Sequence, residues 1–91
     1  MWVKNQDGLA VVQVDALAVD PAEILNFDPE NKDRRAIRIW GSISDHDFVM
    51  GVYHDIEEAK EVLSSFVHAI ISRNTTVFEM PRAVKQLNEV Q

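Results

Sequence analysis

The chain contains no cysteine. That excludes disulfides, thiol nucleophiles and thiolate-held zinc or iron–sulfur centres, and it suits a reducing compartment. Glycine is scarce: the three present, Gly8, Gly41 and Gly51, are too scattered to build a G-x-G-x-x-G or Walker-type phosphate loop. No serine sits in a G-x-S-x-G elbow. No stretch reaches the roughly 20 apolar residues that span a bilayer, and the opening Met1-Trp2-Val3-Lys4-Asn5-Gln6-Asp7 has no apolar signal core. Basic residues are outnumbered 15 to 9, for a formal net charge of −6. An acidic whole disfavours non-specific contact with nucleic acid or anionic membranes. The expectations are a cytoplasmic address, no membrane segment and no cofactor.

What is present is the material of one small core. Ninety-one residues, 46% hydrophobic and 26% charged, read as a single α+β domain over residues 1–91. Met1–Asn5 and Leu9–Val14 are apolar runs separated by Gln6-Asp7-Gly8, a strong hairpin signal because glycine takes the positive φ of a tight turn. Leu17–Val19 reads as a strand stopped by Asp20-Pro21, and Ile24–Asp28 as a further extended segment stopped by Pro29. Glu30–Arg34 has no apolar residue and reads as a surface loop. Arg35–Ile43 alternates, with Ile37, Ile39 and Ile43 on one face and Arg38, Trp40 and Ser42 on the other. After the polar turn Ser44–Asp47, Phe48–Tyr53 is the returning strand, where Gly51 suggests a bulge or a close backbone approach.

One helix, Asp55–Ser72, is well announced. Asp55 is a preferred N-cap, Glu58 completes a capping-box spacing, and Glu57 suits the positive end of the helix. Ile56, Ala59, Leu63, Phe66, Val67 and Ile70 fall at helical spacing, with Glu57, Glu61, Ser65, His68 and Ser72 opposite. Arg73 and Asn74 are the expected stop, Thr75–Met80 a last strand, and Arg82–Gln91 a short helix or a frayed tail. The sum predicts a curved, mostly antiparallel sheet of five to seven short strands packed by this helix, in the element order of a pleckstrin-homology-like plan.

Three stretches carry a resemblance. The opening Met1–Gly8, the strand-to-helix join Met50–Leu63 and the ending Val77–Pro81 are similar to short proteins of Gram-positive bacteria and their prophages, a group with no established activity. Asp28–Arg35 is longer here than in that pattern. The resemblance implies a cytosolic or prophage setting, and since that group has no assigned catalytic residues, none carries over.

Three clusters are candidates for function. Asp45-His46-Asp47 and His54-Asp55 hold ordinary metal ligands. However, the seven residues between His46 and His54 would separate the imidazoles by roughly 20 Å in an extended chain. Turn and cap roles are therefore preferred, with no metal or catalytic site. Lys32, Arg34, Arg35 and Arg38 place four of the nine basic residues within seven positions near Trp40, the material of a small nucleic-acid regulator. Finally, Trp2, Trp40 and Phe48 exceed what so small a core readily holds, and Trp40, Arg38 and Trp2 are the expected partner surface. The favoured reading is a non-enzymatic interaction module, a homodimer burying Trp40 or the edge beside it, with its protein partner unnamed by the sequence.

Overall fold

The computed structural model describes residues 1–73 and 76–83. Its elements are β1 (Trp2–Lys4), β2 (Val11–Gln13), β3 (Ala16–Val19), α1 (Pro21–Leu25), a 3-10 turn (Lys32–Arg34), β4 (Ile37–Ile43), β5 (His46–Tyr53), α2 (Ile56–Ser72) and β6 (Val77–Glu79). The architecture is α+β: two sheets of three strands each and one main helix.

The first sheet has the order β2-β1-β6, antiparallel on one side of β1 and parallel on the other. Its hairpin turns where expected, with Gly8 at φ 77° and its N–H donating to the Asn5 carbonyl at 2.9 Å. Val3 pairs with both Val12 and Phe78, so these three share the inner face. The second sheet has the order β3-β4-β5 and is antiparallel throughout. Ile37, Ile39 and Tyr53 line its inner face with no exposed surface. The bulge anticipated near Gly51 lies at Met50: Trp40 pairs with Val49 and Ile39 with Gly51, leaving Met50 without an opposite. A Cβ on Gly51 would stand 3.0 Å from the Tyr53 ring, so the close approach is real as well.

The single sheet expected from the sequence is instead broken into two. The break falls at Val14–Asp15. Val14 N–H still donates to the Met1 carbonyl (3.0 Å), whereas Asp15 N–H already donates to the Ser42 carbonyl (2.8 Å). One residue therefore hands the chain from β1 to β4, and Val14 is buried at that corner. A second join closes the gap at the β5 edge. Gln6 N–H donates to the Met50 carbonyl (2.8 Å), and its side chain bonds both backbone groups of Val52.

The segment from Ile24 is also different from its expected extended form. Pro21–Leu25 is a helical turn, because Asp20 caps it by accepting from Ala22 N–H (2.9 Å) and Pro21 occupies its first turn. Asp-Pro was a helix start as well as a strand stop. α2 begins as predicted, with the Asp55 carboxylate accepting from Glu57 N–H at 2.8 Å. It ends at Arg73, a left-handed C-cap with φ 58°. The Asn74 stop, Thr75 and residues 84–91 of the predicted tail lie outside the described residues.

α2 presses Ala59, Val62, Phe66 and Ala69 into the core, where Phe66 meets Phe78 edge-on at 5.3 Å. The core is one cluster that draws on both sheets and the helix. Val67 and Ile70, expected to face inward, are about half exposed, and Val62 takes the buried position. The buried arc is thus rotated toward the Val62 side of the predicted one.

Candidate functional site

Trp40 sits on the middle strand of the second sheet, on the face turned away from the helix. Its cross-strand neighbours are Ala18 on β3 and Val49 on β5. The next outward row is Ala16, Ser42 and Asp47. An indole flanked by alanine on the β3 side leaves space above that strand, because a methyl group cannot fill the height of the ring. The result is an open hollow of about 450 Å³, lined by Trp40, Ala18, Pro21 and Ser42, with the carboxylates Asp20 and Asp47 among its walls. Trp40 itself is half-buried.

Arg38 lies two residues before Trp40 on the same face. Its guanidinium forms an ion pair with Glu23 of α1, and its backbone N–H donates to the same carboxylate at 2.9 Å. α1 thus neutralises the basic residue nearest the tryptophan. The other members of the basic run are dispersed. Lys32 and Arg34 are exposed on the 3-10 turn together with Asp33, while Arg35 is half-buried with its Nε enclosed. Among the described residues, no basic side chain lines the hollow beside Trp40.

The histidine and aspartate cluster is spread along one strand. Ser44–Asp45 is a two-residue turn closed by the Ile43–His46 pair, with Ser44 at φ 55° held by its N–H donating to Asp15 (3.1 Å). His54 follows the far end of β5, where Nδ1 lies 3.1 Å from the Arg35 carbonyl. Among the described residues, no group of three or more histidines and carboxylates could hold a metal ion. Nor is any described helix long and apolar enough to cross a membrane.

Trp2 belongs to a different surface from Trp40. It is 47% exposed on the outer face of the first sheet, in one row with Gln13 and Val77. A third surface was not singled out from the sequence: α2 is apolar on its solvent shoulder as well as its buried one. Val67, Ile70 and Ile71 are exposed, Ile71 to 70%, and half-buried Leu63 continues the stripe one turn earlier. The i, i+4, i+7, i+8 spacing of these four residues was the legible signal.

Tyr53 is fully buried at the end of β5. Burial, with a smaller contribution from the charge of Glu58, pushes its phenol up to about 12. The hydroxyl donates to the Pro81 carbonyl at 2.7 Å. A phenol kept neutral and bonded to backbone is a fastener rather than an acid or base at neutral pH. Comparison with family models, curated proteins and solved structures gives no match.

Proposed function

We propose that this chain is a small non-enzymatic module that acts through protein–protein contact and pairs with a second copy of itself. The observation that carries this reading is the apolar stripe on α2, half-buried at Leu63 and exposed at Val67, Ile70 and Ile71. Contiguous apolar surface on a helix already packed on its other side marks a contact surface. A second copy is the occupant because the helix complements itself when reversed. Its first two turns carry Glu57, Glu58 and Glu61 against the single Lys60, and Arg73 caps its far end. Antiparallel pairing sets the acidic start of one helix beside Arg73 of the other and opposes their dipoles. Such a contact is two-fold, the commonest closed symmetry.

On this reading the dimer contact lies on α2, whereas the sequence suggested Trp40 or the edge beside it. The nucleic-acid reading has less support, since the hollow beside Trp40 presents carboxylates where a phosphate backbone needs cations. A cytoplasmic, prophage-associated setting follows from the resemblance. The pleckstrin-homology-like plan is an analogy of element order, with β6 as an addition, and assigns no ligand. Sedimentation at micromolar concentration tests the proposal. The expected species is twice the mass of the chain, and Ile71→Glu should convert it to a monomer with an unchanged far-UV spectrum. A monomeric parent protein would end the reading.

A further inference from the structure

We infer that the hollow beside Trp40 receives an arginine or lysine side chain from a basic segment of a protein partner. The inference deepens the interaction reading by giving the chemistry of that partner, and it rests on that reading only in taking the ligand to be a protein.

Three independent features of the hollow converge on this ligand. First, its shape comes from unequal side chains in one cross-strand row: a large indole beside a methyl group, with Pro21 closing the end where β3 runs into α1. A slot with an aromatic wall and short apolar walls suits a long aliphatic stem. Second, the charge at its rim is of one sign. Asp20 lines it from the junction of β3 and α1 and Asp47 from β5, on opposite sides of the strand that carries Trp40. A cation lodged against the Trp40 indole would have an aspartate toward each end of the hollow, a setting that favours guanidinium and ammonium groups. Third, the basic residue that could satisfy those carboxylates from within is already committed. Arg38 is adjacent on the same face, but its ion pair with Glu23 turns it toward α1.

The net charge of −6 acts in the same direction at longer range, since it draws a basic segment toward the surface before contact. Asp20 spends one carboxylate oxygen on capping α1 through Ala22 N–H, which fixes the group at the rim without removing its charge.

Trp2→Phe leaves Trp40 as the sole indole, so its fluorescence reports on the hollow alone. The probe is a capped hexapeptide with two arginines, set against the same peptide with citrulline in their place. The arginine peptide should give a saturable change in Trp40 emission that weakens with salt, and the citrulline peptide none. Asp20→Asn/Asp47→Asn keeps a capping side chain at position 20 and removes both charges. It should weaken the arginine peptide at least tenfold at an unchanged unfolding midpoint. Calorimetry on Trp40→Leu should show no binding. Equal binding of the two peptides, no saturation up to millimolar peptide, or indifference to the double Asn variant would each overturn the inference. Repeating the titration in Ile71→Glu keeps the two proposals separate: peptide binding should persist there, whatever the state of assembly.

Discussion

Gln6 and Val52 bond to each other twice: Val52 N–H donates to Gln6 Oε1 at 2.8 Å, and Gln6 Nε2 donates to the Val52 carbonyl at 3.1 Å. A side-chain amide there satisfies both polar groups of a backbone residue on the β5 edge, the task a neighbouring strand would otherwise perform. The same Nε2 reaches the Pro81 carbonyl at 3.2 Å. One glutamine thereby couples the first hairpin, the second sheet and the segment after β6. Gln6→Ala should destabilise the fold by roughly 1–3 kcal/mol, because it leaves part-buried backbone groups unpaired. Denaturant unfolding checks this, with exposed Gln13→Ala as the control expected within about 0.5 kcal/mol of the parent.

The two faces of α2 should respond unequally to truncation. Phe66→Ala empties a buried site against Phe78 and should cost roughly 3–5 kcal/mol. Leu63→Ala, at a half-buried position, should cost less. Glu61→Ala and Ser65→Ala should stay within about 0.5 kcal/mol. Urea midpoints of the four variants test the ranking, and a cost at Glu61 equal to that at Phe66 would mean the helix is wrongly oriented.

Asp55 caps α2. Asp55→Ala should lower stability by about 1 kcal/mol through loss of the bond to Glu57 N–H, whereas Asp55→Asn should retain most of it. Elemental analysis of the purified parent and variant should show no metal lost with the carboxylate. Stoichiometric metal that disappears in the alanine variant would reverse the assignment of the His54-Asp55 pair.

The Tyr53 phenol makes stability fall at high pH. The unfolded phenol ionises near 10, while the folded one stays protonated up to about 12, so the folded state holds the extra proton between those values. The contribution is complete below about pH 10 and is lost as pH rises toward 12, by roughly 2–3 kcal/mol in all. Unfolding midpoints measured from pH 9 to 12 should show this decline, and Tyr53→Phe should flatten it. The phenylalanine variant should also begin about 1 kcal/mol lower at neutral pH, having no hydroxyl to donate to Pro81.

Where the sequence was legible, a local rule was strong enough to decide the outcome alone. Ile37 and Ile39 alternate with Arg38 and Trp40 over a full strand, and the Asp55 cap precedes a helix with a clear period. The Asp20-Pro21 pair shows the limit. The same dipeptide ends a strand and opens a helix, and only the pairing of Arg38 with Glu23 from the intervening segment reveals which role extends further. The split between the sheets was beyond reach because it depends on Asp15 N–H choosing Ser42, a partner 27 positions later. The rotation of α2 had a similar cause: Val62 and Val67 are equally apolar, and only the docking of the helix into the common core separates them. As for the candidate surface, Trp40 could be found by its residue type. The hollow beside it could not, since that is set by the register that brings Ala18 opposite.

The parallel pairing of β1 with β6 has a bearing on how the chain reaches this fold. Trp2 is in register with Val77, so the centre of the first sheet stays incomplete until β6 arrives. The β1–β2 hairpin closes locally, but its second edge waits on contacts between the two ends of the described chain, the slowest kind of encounter for a polymer. On the ribosome, Val3 and Phe66 would be left without Phe78 while everything upstream has already emerged. A nascent chain stalled before Val77 should therefore expose apolar surface and be open to proteolysis. One lengthened past Pro81 by a linker that clears the exit tunnel should become resistant in a single step.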